Sequence, residues 1–456
     1  MYLNIEKFIL TIIFFSFLAH FGIYLAGQQV YFFYLLEITL IFLLLFSIKL
    51  RFDFKPIEIK LISLFLIVAF LSMWMGFYSP ILMFKGETIF ISSLKALIYL
   101  SLNVFIILLL QTYCKSEKFF SLLIKCLKYV IIFYLFYASI EYFHKFIISN
   151  EILKTFIQFF HIGDRSINKQ LLTLLGHEHS NASILVLILY TFVISCLING
   201  YRLFGHIFVD IFVIALLILL ILLLESKIGY IAFILVNIAI FFIILFRSKL
   251  NFLRKVILTI FLFSILIYLY FQFESTILKQ LGLATNYDHP SFNIRANFAL
   301  SSLFLLISYP VLGVGINNFK FFLAEAIQGL QQLPFIDIKV AGNIDGHSEL
   351  ELNAYLFNEV GMPDPFNFIL GLGAEVGVIG LSIFLLILTL IFLKSLKTLR
   401  NKKLNKLENV IAYFNFLSLV VIIISYAAFY QYYFFIQWII IGLNISFISY
   451  IVKKYN

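Results

Sequence analysis

Long apolar stretches recur along this chain, each close to the roughly 20 residues that a helix needs to cross a lipid bilayer. Hydrophobic residues make up 63% of the 456 residues and charged residues 12%, whereas a soluble domain has roughly 45–50% apolar and about 25% charged residues. The sequence therefore predicts an all-α, polytopic membrane protein that forms one membrane domain.

Twelve spans are predicted, and the Lys and Arg residues in their short connections predict the orientation. The connections near 49–60, 115–128, 202, 247–255 and 394–406 are basic, and they alternate with base-poor connections near 27–29, 78–88, 225–227 and 429–433. This alternation predicts that both termini are cytoplasmic. The predicted spans are 8–25, 30–48, 59–78, 89–110, 128–148, 181–199, 206–224, 228–246, 256–272, 367–393, 410–429 and 434–452.

One long segment, 273–366, is too polar to lie in the hydrocarbon core of a bilayer. It carries nine acidic residues against four basic ones, together with Asn, Gln, Pro and Gly. Long loops of this kind are usually functional. We therefore divide the chain into spans one to nine (1–272), a large and mostly helical outer cap (273–366) and spans ten to twelve (367–456). The net charge of +10 does not indicate nucleic-acid binding, because the basic residues lie between apolar spans.

Within the cap, Ser291 is a candidate N-cap for a helix that runs to about Ser308 and is stopped by Pro310. Arg295 lies on that helix, beside small residues, and suits an anionic headgroup. The residues that follow, 313–319, read Gly-Val-Gly-Ile-Asn-Asn-Phe and predict a tight glycine turn. Within the spans, the ionisable residues Glu37, Lys95, Glu141 and Asp210 are functional candidates, because charges in lipid are costly.

Four short motifs occur in order along the chain. They are Gly-His-Glu-His-Ser-Asn-Ala at 176–182, Glu-Ser-Lys-Ile-Gly at 225–229, Arg295 followed by Tyr-Pro-Val-Leu-Gly-Val-Gly-Ile-Asn-Asn-Phe at 309–319, and Phe-Asn with a Glu-x-Gly and a Gly-Leu at 366–381. Together, over roughly 160–390, they resemble the O-antigen polymerase and O-antigen ligase family of bacterial envelope enzymes. Two positions depart from the family pattern: Lys227 stands where the family usually has Arg, and Phe366 where it often has His.

The resemblance implies an enzyme of the bacterial inner membrane that acts on the periplasmic face. It would move a glycan from undecaprenyl diphosphate to a sugar hydroxyl, and fixed cations would stabilise the charge of the diphosphate leaving group. Arg295 is the first candidate for that catalytic role, followed by Lys227 and Arg165 as diphosphate ligands. The candidate general base is His347, with Glu349, Asp364 and His179 as alternatives.

Further motif residues are candidate contacts to the diphosphate or glycan: His179, Asn181, Asn318, Asn367 and Glu375. Several of the candidate residues also have a structural alternative. Glu375 could be an acid favoured at a helix N-terminus, and the glycines could serve the turn alone. His347 could be a solvated loop residue, Arg165 a solvated loop charge and Lys227 a residue that reaches from a short turn towards water.

We predict neither a metal nor another cofactor. His177 and His179 form a His-x-His pair that no nearby Cys or His completes to a zinc site. The first outer turn, 27–29, also lacks the Asp that many metal-dependent polyprenyl-sugar transferases carry there. Nor do the three cysteines, which lie at or near predicted inner ends of spans, predict a disulfide framework.

The function predicted from this reading is an O-antigen polymerase that transfers the growing glycan from its lipid carrier to the next lipid-linked repeat, with inversion. Its expected partners are the undecaprenyl-diphosphate-linked oligosaccharide, the bilayer and a chain-length regulator. An O-antigen ligase, whose acceptor is the lipid A-core, is the alternative within the family. A polysaccharide or lipid-linked sugar transporter is the alternative from another class, although the two halves show no corresponding broken spans.

Overall fold

A computed structural model describes residues 5–17, 22–25, 28–46, 52–84, 86–147, 179–224, 226–246, 290–332, 365, 367–426 and 435–455. Within these ranges the protein is mostly helical, which confirms the predicted all-α class. Two short antiparallel hairpins accompany the helices. In one, β1 (Gly22–Leu25) pairs with β2 (Gln28–Tyr31), and in the other β3 (Met83–Phe84) pairs with β4 (Glu87–Thr88).

The described part of the chain contains thirteen α-helices and one 3-10 helix. The 3-10 helix, Met73–Tyr78, directly continues α3. The α-helices are α1 (Ile5–Phe17), α2 (Phe32–Phe46), α3 (Ile57–Ser72), α4 (Ile89–Tyr113), α5 (Glu117–Phe146), α6 (His179–Ile198), α7 (Ile207–Leu223), α8 (Lys227–Phe246), α9 (Pro290–Ser308), α10 (Phe319–Gln331), α11 (Phe368–Leu399), α12 (Lys406–Ser425) and α13 (Phe435–Tyr455).

Among the described residues, seven segments are long and apolar enough to cross a membrane, so this is a multi-pass membrane protein. Eleven of the twelve predicted spans overlap a described helix, and the span predicted at 256–272 lies outside the described residues. The count of twelve stays a prediction. The seven segments are Ile57–Tyr78, Ile89–Tyr113, Glu117–His144, Asn181–Ile198, Phe368–Leu399, Lys406–Ser425 and Phe435–Tyr455.

Several predicted boundaries are wrong, and the largest difference is at α5, which begins at Glu117 although the span was predicted to begin at 128. The first span was expected to continue to residue 25, but α1 ends at Phe17 and the β1–β2 hairpin begins at Gly22. The cap helix was expected to start after Ser291, but α9 already begins at Pro290, whose fixed φ suits the first turn of a helix. Its predicted end at Ser308 is confirmed.

Helices α6, α12 and α13 form the most buried part of the membrane domain. Polar side chains join the helices there. Thr191 of α6 and Ser418 of α12 lie 3.1 Å apart, Tyr190 donates to Asn237 of α8 at 2.7 Å, and Ser395 of α11 donates to Asn444 of α13 at 2.7 Å. These bonds satisfy polar groups that would be costly to leave unpaired away from water.

The cap helices α9 and α10 pack together against the first turns of α4 and the first half of α11. Their contact surface is a separate apolar cluster that includes Phe298 and Leu305 of α9 and Phe319, Phe322 and Ala326 of α10. Residues 290–332 thus form a small helical unit that is seated on the ends of membrane-crossing helices.

Candidate active site

The connection between α9 and α10 contains the glycine turn that the sequence predicts. Gly313, Gly315 and Asn317 have φ values of 67°, 97° and 60°. A side chain on Gly313 would collide with the backbone of Ala374 and Glu375. Position 313 therefore needs glycine for two reasons. Its φ is in the left-handed region, and the backbone of α11 lies too close for a side chain.

This turn is hydrogen-bonded to a break in α11. Gly377 has φ 69° and ψ −176° inside that helix. In an unbroken helix the Val378 N–H would donate to the Ala374 carbonyl. Instead it donates to the Pro310 carbonyl at 2.7 Å, and the Ala374 carbonyl accepts from the Val314 N–H at 2.8 Å. The Gly315 N–H also donates to the Glu375 carbonyl at 2.9 Å, so three backbone hydrogen bonds join the break to the loop.

Glu375 holds the beginning of α10. Its carboxylate accepts hydrogen bonds from the Asn317 N–H at 2.6 Å and from the Phe319 N–H at 3.2 Å, and the residue is only 1% exposed. A negative charge at a helix N-terminus is favoured by the helix dipole and satisfies otherwise unpaired N–H groups. This geometry fits the structural alternative for Glu375, an acid at a helix N-terminus. The helix concerned is α10, however, and Glu375 itself lies on α11. A substrate contact by Glu375 stays a prediction.

The two asparagines of the turn are held by α4. The Asn317 side chain donates to the Ser92 hydroxyl at 2.9 Å, and that hydroxyl donates back to the Asn317 carbonyl at 2.9 Å. Asn318 is fully buried. It accepts from the Ser93 hydroxyl at 2.8 Å and donates to the Val314 carbonyl at 3.2 Å. Sequence reasoning did not select Ser92 or Ser93, since two serines inside an apolar span carry no motif.

A cluster of three charges lies beside the turn. Glu87, just before α4, forms ion pairs with Lys320, the second residue of α10, and with Lys95 of α4 at 3.0 Å. Lys320 is 6% exposed. Burial by itself raises the pKa of Glu87, but hydrogen bonds from Lys320 and Lys95 outweigh it, so the pKa lies below its usual value. The sequence marked Lys95 as a candidate but gave it no partner, and it did not select Lys320.

Arg295 lies near the start of α10 by its position on α9. One helical turn further along α9, the ring of Phe298 packs against that of Phe319, with 6.0 Å between the ring centroids. Phe319 is the first residue of α10 and donates to Glu375. The backbone of Arg295 is therefore placed close to this junction, while its side chain lies outside the described part of the chain.

A second group of motif residues meets where α6 and α8 begin. Ser226 precedes α8, and its hydroxyl accepts from the Gly229 N–H at 3.2 Å, as an N-cap does. A side chain on Gly229 would approach the Ser183 Cβ of α6 to 2.6 Å. The first turns of the two helices are therefore in contact, which brings the motif that contains Asn181 next to the one that contains Lys227.

The third group is at the start of α11. The side chain of Asn367 accepts from the Leu370 N–H at 3.0 Å and so caps α11, and the Phe368 N–H donates to the Tyr426 carbonyl at the end of α12 at 3.0 Å. Helices α6 and α12 are antiparallel. Thr191 contacts Ser418, and Phe192, later in α6, contacts Phe414, which is earlier in α12. The beginnings of α6, α8 and α11 thus point to the same end of the molecule.

The remaining predicted residues lie wholly or partly outside the described residues. His347 and Arg165, with the alternative bases Glu349 and Asp364, are outside the described ranges. His179 and Lys227 are described as the first residues of α6 and α8, without their side chains. Among the described residues, no group of three or more His, Cys, Asp or Glu could hold a metal ion.

Residues 212–385 match the O-antigen ligase family. The match supports the O-antigen polymerase and ligase family that the four motifs resemble. It contains the glycine turn and the break in α11. It also contains the positions of Lys227, Arg295, Asn318, Asn367 and Glu375, whereas Arg165, His179 and Asn181 precede it. A search of the curated proteins finds no match to this chain.

Proposed function

We propose that this protein is an O-antigen polymerase. In the proposed reaction, a hydroxyl of a lipid-linked repeat unit attacks the anomeric carbon of a glycan that is carried on undecaprenyl diphosphate. The new glycosidic bond forms with inversion, the bond to the diphosphate breaks, and the hydroxyl proton leaves to a base. No metal takes part in this scheme.

One observation supports a site at this place. The glycine turn, the break in α11 and the start of α10 are joined within the region that matches the family, and Arg295 lies on the helix beside them. Transfer from a lipid diphosphate needs fixed positive charge near the leaving oxygens, in surroundings that exclude water. A rigid junction between helices is a suitable platform for such a cation, because its position is held by several hydrogen bonds.

Arg295 is proposed to bind the diphosphate, since a guanidinium can contact two phosphate oxygens at once. Lys227 and Arg165 are proposed as further diphosphate ligands. A Lys at position 227 keeps the charge of the family's Arg but not its planar fork. His347 is proposed as the general base, and His179, Asn181, Asn318, Asn367 and Glu375 as residues that contact or position the glycan.

The ligase is the second candidate, because the matching family is described as O-antigen ligase. The residue at position 366 weakens the ligase hypothesis. The family often has a His there, which is the candidate general base in ligases, and this chain has Phe366. A phenyl ring cannot accept a proton, so a ligase built on this chain would need its base elsewhere.

The proposed location is the bacterial inner membrane, with both termini in the cytoplasm and the site on the periplasmic face. This orientation follows from the alternation of basic and base-poor connections. It places the beginnings of α6, α8 and α11, and the cap helices α9 and α10, on the periplasmic side. A chain-length regulator is proposed as an additional partner.

The surface glycans of a deletion strain test this proposal. A polymerase deletion leaves the lipid A-core with one repeat unit, and a plasmid copy of the chain restores the long polymer. Bare core with lipid-linked polymer accumulating would indicate the ligase. Lipid-linked repeats retained on the inner face of the membrane would indicate the transporter and would contradict the enzyme.

A further inference from the structure

An apolar groove of about 590 Å³ lies between α1 and α5, away from the candidate active site. Leu10, Thr11 and Phe14 of α1 form one wall. The other wall is the α5 face at Cys126, Tyr129, Ile132, Phe133 and Phe136, which spans about 15 Å at 1.5 Å per residue. The groove therefore has the length and the lining of a site for a lipid chain.

The two walls run in the same direction. The Cys126 thiol lies 3.6 Å from the Leu10 carbonyl, and further along both helices the rings of Phe14 and Phe133 lie 6.5 Å apart. The first residues of α1 and of α5 are therefore at the same end of the groove. The Ser116 hydroxyl before α5 donates to Glu6 of α1 at 2.8 Å, which ties those ends together.

Exposed lysines lie at that end. On α5, Lys118 and Lys125 precede Tyr129 by eleven and four residues and so share its face of the helix. On α1, Lys7 precedes Thr11 by four residues and shares its face. All three side chains are exposed. Tyr129, which is 63% exposed, adds a phenol one turn beyond Lys125, where an amphipathic ring suits the level of lipid headgroups.

The two acidic residues at this end differ in their partners. Glu117 is paired with Lys454 at 3.0 Å and accepts from the Asn405 amide at 3.2 Å, whereas Glu6 accepts from the neutral Ser116 hydroxyl and keeps its negative charge. Lys128 points elsewhere, over the ring of Phe204 at 5.2 Å. Three exposed lysines thus outnumber the carboxylate of Glu6, and the mouth of the groove has a net positive charge above an apolar channel.

We propose that this groove binds an anionic phospholipid. One acyl chain lies along Leu10, Phe14, Phe133 and Phe136, and the headgroup phosphate meets Lys7, Lys118 and Lys125. Basic pockets between membrane-crossing helices are a known way to recognise anionic headgroups. With the termini in the cytoplasm, the lipid belongs to the inner leaflet, on the side opposite to the proposed glycan site.

Native mass spectrometry of the purified full-length protein tests the site, with phosphatidylglycerol and phosphatidylcholine as probes. We expect the unaltered chain to retain phosphatidylglycerol in preference to phosphatidylcholine. The triple variant Lys7→Gln, Lys118→Gln, Lys125→Gln should lose that preference, with affinity for phosphatidylglycerol falling on the order of fivefold per lysine. The double variant Lys402→Gln, Lys403→Gln is the matched control, because these exposed lysines lie in the connection before α12.

A second variant tests the groove itself. Thr11→Trp fills the channel from an exposed position and leaves the lysines in place, so it should weaken the binding of both lipids. Equal retention of phosphatidylglycerol by the triple variant and the unaltered chain would overturn the proposal. So would undiminished binding to Thr11→Trp, or the same loss of preference in the Lys402 and Lys403 control.

Discussion

Replacing Glu375 by Ala should destabilise the junction between α10 and α11. The substitution removes the acceptor of two backbone N–H groups, at 2.6 Å and 3.2 Å, in a position that is 1% exposed. Hydrogen bonds to a charged group contribute roughly 1.5–3 kcal/mol each, and loss of a helix cap costs about 0.5–2 kcal/mol. Because one of the bonds is long, we expect the free energy of unfolding to fall by about 3 kcal/mol.

Thermal unfolding of the purified protein in detergent measures this effect, and the surface polymer measures activity. Glu375→Gln keeps the shape of the side chain and one acceptor oxygen, so it should lose roughly half as much stability as the Ala variant. If the two variants lose surface polymer in proportion to their loss of stability, Glu375 acts only as the cap of α10. A stable Glu375→Gln protein without polymer would support the proposed substrate contact.

Glu325→Gln is the control for the change of charge. Glu325 lies on the same helix, α10, and accepts from the Tyr309 hydroxyl at 2.9 Å, a bond that a Gln oxygen can replace. This variant should unfold at the temperature of the unaltered chain. If Glu375→Ala also unfolds at that temperature, the carboxylate does not stabilise the start of α10.

Three further predictions concern the same end of the molecule. Arg295→Ala should abolish chain elongation in cells while the amount of protein in the membrane is unchanged, and normal long-chain polymer would contradict a diphosphate contact. Gly377→Ala should lower the unfolding temperature more than Gly86→Ala, since both have positive φ, worth roughly 1–3 kcal/mol of strain, but only Gly377 would also collide with backbone. Because the folded-state pKa of Glu87 is lowered, its pairing with Lys320 stabilises the fold above about pH 4.3 and is lost as the pH falls through the folded pKa.

Each of these three predictions has a control variant that tests the physical reason given for it. Arg202→Ala removes the same charge from the connection before α7 and should leave the polymer normal. If Gly377→Ala and Gly86→Ala lower the unfolding temperature equally, the collision of a side chain at position 377 with the Val311 backbone is unimportant. Glu87→Gln should melt at a lower temperature at neutral pH and lose less on acidification, and parallel curves for the two proteins would contradict the ion-pair account.

The positions of the helices could be predicted from the sequence because an apolar stretch of sufficient length has few alternatives in a membrane. The hairpin at Gly22–Tyr31 could not. Residues 22–25 continue the apolar run that was predicted as the first span, and a short apolar run does not distinguish strand from helix. The expected first span was therefore too long at its C-terminal end.

The candidate site was predictable only as separate pieces. The motifs indicated that Gly313, Gly315 and Glu375 matter, and the turn was expected. The break at Gly377 was not, nor was the pairing of Glu375 with N–H groups 56 and 58 residues earlier in the chain. Such contacts depend on which helices pack together, and a single sequence contains no direct signal for that. The role of Lys320 could not be predicted for the same reason, since its partner Glu87 lies 233 residues away in the sequence.

Reconstitution with a defined substrate shows whether this protein polymerises a lipid-linked glycan without another acceptor. The purified protein is incorporated into liposomes that contain the undecaprenyl-diphosphate-linked repeat unit and no lipid A-core or metal, with chelator present. We expect a ladder of longer lipid-linked glycans and one released undecaprenyl diphosphate for each new linkage, and we expect both to be absent with Arg295→Ala. Products that form only after lipid A-core is added, or no released lipid diphosphate at all, would contradict this expectation.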